Sequence, residues 1–367
     1  VQELLERLVF LQHVSNTFVL EVRQQLARLY ATIELDLRRF GPTAVEARYR
    51  QGRYDAFMAR LGARVREFLP RFHRRLKDSL APLGRQQGVF TRDKLIATLG
   101  DPQGVRITPV TEARMRAVLN TEPFQGRVLR DHGKRIGANL VDRVSTQVRM
   151  GMVREEEIDD IVRRVRGRRV AGSNAFQGGV LQTTTREAEA LVRTAVTHTS
   201  NSGMLETLRS NPGVIDGVRY LATLDDRTTR LCLSLDGTEW DLDDPDIIVP
   251  GRDTHYNCRS ILTPLVAWKR LGMPEPPPIR RAVRDLSTVT DAELDMSVRA
   301  RRRAGAFGDV EHIPSSVTAT EWLRRQRAGV QDKILGRGRA DLFRAGDVSL
   351  PDLITKDLRT VPLEALR

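Results

Sequence analysis

The sequence predicts a mainly α protein: an elongated helical N-terminal region, a small α+β domain and a helical C-terminal tail. Three observations point there. Apolar residues recur at helical spacing from the start, one polar segment opening on an alternating stretch holds both cysteines, and a proline cluster follows it.

Leu4, Leu8, Leu11, Val14, Phe18, Val22, Leu26, Leu29, Ile33 and Leu37 trace one stripe of a long helix, which Gly41-Pro42 ends. Helical patterning resumes over 44–75, with Pro70 expected to kink or bound it. Residues 1–166 read as the elongated helical region, its stripe suited to packing or to docking on an assembly surface. The glycine-rich stretch 167–184 reads as a linker. A threonine cap in TTTREAEALV leads into a helix that runs to Leu208, before Asn211-Pro212. Val218, Tyr220 and Ala222 alternate with polar or outward positions as a short strand, and turns and loop are expected after it, so 185–272 reads as the α+β domain. Prolines 274, 276, 277 and 278 make 273–281 a connector and the clearest boundary of the chain. In 282–367, short helical patterns follow Thr290, Thr318 and Ser349.

Hydrophobic residues at 40% and charged residues at 29% describe a folded chain rather than a disordered one. No apolar run approaches the roughly 20 residues that span a bilayer, and the start lacks the order of a signal peptide. Synthesis in the cytoplasm, with no membrane partner, is the expectation. Two cysteines make no secreted disulfide framework. The 60 Lys and Arg against 47 acids give a net charge of +13, which attracts polyanions. Arg163, Arg164, Arg166, Arg168 and Arg169 form one cluster and Arg301, Arg302 and Arg303 another. Each is a candidate for phosphate contacts, or else a solvated face.

The segment 223–260, TLDDRTTRLCLSLDGTEWDLDDPDIIVPGRDTHYNCRS, offers Cys232, His255 and Cys258 as two thiolates and an imidazole. A structural zinc site closes with four ligands, and the position three before Cys232 is Thr229; Asp226, Asp236 and Asp253 remain as fourth candidates. The same cysteines could bond across 25 intervening residues, or lie buried as small hydrophobes. The last reading ranks first, so no cofactor is expected, with structural zinc as the alternative. Cys232, His255 and Asp226 or Asp236 satisfy a list of residue types for thiol catalysis, yet no nucleophile elbow, P-loop or HExxH occurs, and the chain reads as no enzyme. Arg227 after Asp226 and Arg259 after Cys258 suggest an ion-pair scaffold holding irregular backbone, with Asp236-Gly237 as a tight turn.

Taken together, Arg193-Thr194, Asn201, Ala222 to Asp226, Arg227-Thr228, Cys232, Leu235-Asp236-Gly237, His255, Asn257-Cys258-Arg259-Ser260 and Pro264 form an ordered signature. It resembles that of the phage Mu F-like, or head morphogenesis, minor head proteins of tailed phages. Thr254 stands where that pattern has proline, and Thr229 where members with a fuller cysteine set have another thiol. Trp322-Leu323, Gln326, Gln331, Leu335-Gly336, Arg339, Leu342-Phe343, Gly346, Leu350 and Leu353 are similar to a minor-head C-terminal segment. The resemblance implies a structural, low-copy virion protein inside the head near the portal vertex. Its implied partners are portal, major capsid or scaffolding protein, and packaged DNA through non-specific phosphate contacts. An internal DNA-binding protein ejected with the genome, or a toxin or enzyme fusion module, are the alternatives.

Overall fold

The long apolar stripe becomes helix α1 (Gln2–Phe40), which ends immediately before the expected stop. The structure, a computed structural model, describes residues 2–40, 47–100, 106–171, 176–276 and 280–366, so Gly41-Pro42 itself lies outside the described residues. Helix α2 (Ala47–Leu99) runs through both Pro70 and Pro82. The break expected at Pro70 is therefore absent. Both prolines take exposed positions, where the carbonyl each leaves unpaired can turn to water.

The chain divides into two compact units, each built from separated segments. The first, residues 12–86 and 111–199, is almost wholly helical. Parts of α1 and α2 join α3 (Glu112–Thr121), α4 (Leu129–Val153), α5 (Ile158–Arg166) and the start of α6 (Gly179–Arg209). Its core takes Ile33 and Leu37 from α1, Phe57 and Leu61 from α2, Met115 from α3 and Val144 from α4. A two-residue ladder joins β1 (Arg168–Arg169) to β2 (Phe176–Gln177). Helix α6 thus begins inside the stretch expected to be a linker. The threonines do not cap it: Thr183, Thr184 and Thr185 donate to carbonyls four residues back, while Gln182 Oε1 accepts from Gly178 N at 2.7 Å. Gly167 and Gly179 allow the close approach there. A Cβ on Gly167 would lie 2.4 Å from the Gly178 carbonyl oxygen.

The second unit, residues 1–11, 87–110 and 200–367, holds the segment with the thiols. Strand β3 (Ile215–Leu221) is central in an antiparallel sheet, flanked by β4 (Glu239–Asp241) and β5 (Ile261–Val266), with Val218 opposite Trp240 on one side and Pro264 on the other. Its alternation is the expected one in part: Val218 and Tyr220 are fully buried and Arg219 is half-buried, but Leu221, expected on the other face, is buried as well. Between β3 and β4 the chain forms α7 (Arg230–Leu235), where only turns were expected, because Thr229 caps it and accepts from Cys232 N at 3.3 Å. Beyond the proline cluster come β6 (Arg280–Asp285), α8 (Asp291–Asp295), α9 (Val298–Ala304), β7 (Asp309–Pro314), α10 (Ala319–Arg324), α11 (Ala328–Leu335) and α12 (Arg337–Ala345). Thr290 and Thr318 both complete capping boxes, as their positions predict.

The connector at 273–281 does not divide two cores. Val218, Tyr220 and Leu262 from before it share one apolar cluster with Val283, Trp322 and Phe343 from after it. Antiparallel β6 and β7 close onto the first half through Arg284 N, which donates to Leu224 O at 2.9 Å. The expected tail is therefore part of the α+β unit, and it contains a strand pair as well as helices. Residues read as a C-terminal signature build this packing. Leu335, Leu350 and Leu353 are fully buried, and buried Gln331 donates from Nε2 to Leu323 O and Gln326 O, both at 3.0 Å.

Candidate functional site

Helix α7 places Cys232 in its first turn, and Cys258 lies in irregular backbone three residues before β5 begins. Between Leu242 and Ser260 the backbone has neither helix nor strand. Asn257, at φ 60°, turns that backbone sharply, and Cys258 N donates to His255 O at 3.3 Å. This brings His255 and Cys258 to one side of the turn. Both sulfurs are buried. Cys232 Sγ lies 3.7 Å from Cys258 Sγ and 3.1 Å from His255 Nε2. Tyr220 Oη donates to Cys232 Sγ at 3.2 Å and lies 3.9 Å from Cys258 Sγ. His255 Nδ1 faces the Tyr256 carbonyl at 2.8 Å, so it carries the hydrogen and Nε2 faces sulfur.

The two thiols ionise unequally. Hydrogen bonding from Cys232 holds the Cys258 thiol well below the usual range, against its burial and with help from His255. Cys232 moves the other way, because its hydrogen bond to Cys258 and its burial both favour the neutral thiol.

Around this cluster, three carboxylates of the motif each hold an arginine from later in the chain. Asp225 accepts two bonds from Arg259, at 2.5 and 2.7 Å, and also caps its own turn by accepting from Arg227 N at 2.9 Å. Thr228 adds a hydroxyl bond to Asp225 at 3.1 Å. Burial alone would raise the Asp225 carboxyl, and Arg259 and Arg227 outweigh it, leaving the pKa at about 2. Asp226 pairs with Arg301 of α9. Asp236 meets Arg281 of β6 at 2.9 Å, with side chains 0% and 4% exposed, and also accepts from Ala222 N at 2.8 Å and Ala319 N at 2.7 Å. One carboxylate therefore ties the end of β3, strand β6 and the start of α10. Gly237, at φ 84°, completes the turn and donates its N–H to Tyr220 O. Asn201 of α6 accepts from Leu262 N at 2.9 Å and donates to Pro250 O and Ser260 O, fixing the middle of the loop and its C-terminal end.

Most of the expected motif residues meet here. Arg193 does not; it pairs with Glu189 on its own helix at 3.3 Å. Asp226, Asp236 and Asp253 are not at the thiols either, and Asp253 instead accepts from Val249 N at 2.8 Å. Tyr220 and Arg281 are contributors that the sequence reading missed, and Asp225, inside the Ala222 to Asp226 signature, was given no partner there. The Asp225-Asp226 doublet was the available signal, since two adjacent acids point to two separate partners.

The arginine clusters divide sharply. Arg301 is 1% exposed and bound to Asp226 and Ala306 O, so its assignment as a phosphate contact is corrected: a guanidinium enclosed by protein cannot reach a polyanion. Arg166 lies on Glu34 at 2.6 Å and over the Phe176 ring, and Arg164 pairs with Glu156. Arg163 is exposed beside Asp160, while Arg168, Arg169 and Arg303 are exposed. The Arg302 side chain lies outside the described residues.

A separate cavity of about 570 Å³ has Gln87, Phe90, Met204, Leu265 and Trp268 in its walls, together with Arg7. Arg7 is 8% exposed; its Nε donates to Gln87 Oε1 at 2.7 Å, while Nη2 has no hydrogen-bond partner. Burial lowers its pKa to about 10.

Fold and site define a mainly α protein whose α+β unit carries a knuckle of irregular backbone, clamped by buried ion pairs around a Cys-His-Cys cluster. Residues 142–263, a third of the chain, match the family described as Phage Mu protein F like protein, and over that segment the chain is similar to phage Mu F-like proteins. The match starts in α4, earlier than the 185–272 read as the domain, and ends inside β5. No curated protein and no solved structure matches the chain.

Proposed function

We propose that the protein is a structural component of a tailed-phage head, acting in head morphogenesis without catalysing a reaction. The observation that carries this reading is the Mu F-like match across the knuckle. Its chemistry agrees: the motif acids hold arginines and backbone N–H groups, so they act as ties within the fold. In this role the protein sits inside the head near the portal vertex. It contacts portal and capsid or scaffolding protein, and it touches packaged DNA through phosphates alone. The net charge of +13 supports the last contact, and exposed Arg163, Arg168 and Arg169 are the side chains to make it.

The test is head assembly with a chain in which Leu20 and Leu35, apolar residues of α1 that are 57% and 49% exposed, are replaced by aspartate, because Ile33 and Leu37 of the same helix belong to the core. Heads that exclude this folded variant, while a variant altered only at Arg168 and Arg169 is still incorporated, support docking through α1. Normal incorporation of the Leu20→Asp, Leu35→Asp chain removes that role. Recovery of the full protein with ejected DNA, and not with emptied heads, would favour the ejection alternative.

A further inference from the structure

We propose that Cys232, His255 and Cys258 bind a zinc ion that fastens α7 to the irregular loop before β5. The inference does not depend on the head-protein reading. Zinc–sulfur bonds of about 2.3 Å and zinc–nitrogen bonds of about 2.0–2.1 Å at tetrahedral angles separate two thiolates by roughly 3.8 Å and thiolate from imidazole by roughly 3.5 Å. Here the separations are 3.7 Å and 3.1 Å, and all three donor atoms fall within 4.8 Å of one another. The sulfurs are too far apart for the disulfide distance of about 2.05 Å.

Orientation supports the same reading. His255 gives its Nδ1 hydrogen to a backbone carbonyl and turns Nε2 to the sulfurs, the arrangement that fixes a ligating imidazole. Charge supports it as well. Two thiolates, a neutral imidazole and a divalent zinc sum to zero, so the occupied cluster buries no net charge. Two sulfurs and one imidazole are a donor set that suits zinc, and magnesium or calcium would require oxygens.

Three protein ligands leave a fourth position. Asp226, Asp236 and Asp253 are held by Arg301, Arg281 and Val249 N, so none of them closes the site. Tyr220 Oη, 3.2 Å from Cys232 Sγ, brings an oxygen donor to the sulfurs, and half-buried His255 leaves a side open to water. The fourth donor is therefore one oxygen, from Tyr220 or from water. Binding displaces the thiol protons to solvent, two in all less any already lost, and no electron moves. The consequence is mechanical. The loop of residues 242–260 has no ladder of its own, and the ion supplies the cross-link that anchors it.

The test uses the full chain, purified without chelator. Elemental analysis should find about one zinc per chain, and replacement by cobalt(II) should give the absorption of a tetrahedral, thiolate-bound ion. A strong chelator should lower the melting temperature, and added zinc should restore it. Cys258→Ser should lose the metal, while Tyr220→Phe should keep it if water is the fourth donor. Should Cys258→Ser fail to fold, the unaltered chain still decides the matter. Less than roughly a tenth of a zinc per chain after reconstitution, with no cobalt–thiolate band, overturns the proposal. So does a native mass two hydrogens light with no titratable thiol, which would mean that Cys232 and Cys258 are bonded.

Discussion

Arg281 and Arg7 are both buried in the same unit, yet they have opposite relations to their surroundings. Arg281 faces the fully enclosed carboxylate of Asp236 and also donates to the Ala222 carbonyl. Arg7 lines a cavity, bonded to a neutral amide and lying 4.5 Å and 5.0 Å from the centroids of the Phe10 and Phe90 rings; each of the two arginines keeps one buried nitrogen without a hydrogen-bond partner, so the difference lies in the carboxylate. The difference teaches that burial of an arginine is not in itself a stabilising feature. A guanidinium removed from water contributes to the fold only when a carboxylate and carbonyls replace its hydration.

The comparison can be broken most directly at Asp236. Asp236→Ala leaves Arg281 enclosed without its anion, and the denaturant midpoint should fall by an amount equivalent to about 3–5 kcal/mol. The double variant Asp236→Leu with Arg281→Met should recover a large part of that loss. No recovery would mean that the backbone bonds from Asp236 to Ala222 and Ala319 dominate instead.

A smaller effect is expected at Arg7. Arg7→Met keeps much of the stem and removes the unpaired charge, so stability should rise by about 1–3 kcal/mol in the same titration. A fall would show that the aromatic contacts and Gln87 satisfy the guanidinium.

The acid limb sharpens the comparison from another direction. The Asp225 carboxyl is depressed in the folded state, to about 2. Its contribution is therefore complete above the unfolded value of about 3.9 and is lost as pH falls toward the folded one. Thermal scans between roughly pH 4 and pH 2 should show a loss of stability that Asp225→Asn diminishes. An unchanged slope in that variant would assign the acid sensitivity to other carboxylates.

Exposed arginines should matter least to folding. Arg168→Ala with Arg169→Ala should shift stability by less than about 0.5 kcal/mol. It should weaken binding to unrelated DNA duplexes alike and reduce the salt slope by about 1 for each phosphate that is no longer neutralised. A strong preference among duplexes would contradict contacts made through phosphates alone.

How much of this was legible follows from the range of each signal. The period of α1 shows in its apolar residues because one face of a helix is read within a few turns. The alternation of Val218 and Tyr220 is equally local. Arg301 was misleading for the opposite reason: its neighbours Arg302 and Arg303 make a run of positive charge, while the carboxylate that encloses it lies 75 positions away. The same holds for Asp225, whose partner Arg259 is 34 positions on. Short elements such as α7 and β4 were missed because Thr229 and a three-residue ladder form them, and no periodicity develops over so few residues. The proline cluster reads as a boundary because it interrupts local patterning, although the core continues across it.

The interleaving of the two units has a consequence for the time at which they can form. Residues 12–86 wait for 111–199, and residues 1–11 wait for the segment that starts at Ser200. At synthesis rates of roughly 5–20 residues per second, the interval between Leu11 and Ser200 leaving the ribosome is roughly 10–40 s. Throughout that interval residues 1–11 lack the segment 200–367 of their own unit. The unit of residues 12–86 and 111–199 is complete once Thr199 has emerged, so the unit that owns the first eleven residues closes last, and until then its early segments are the ones most in need of a chaperone's shelter.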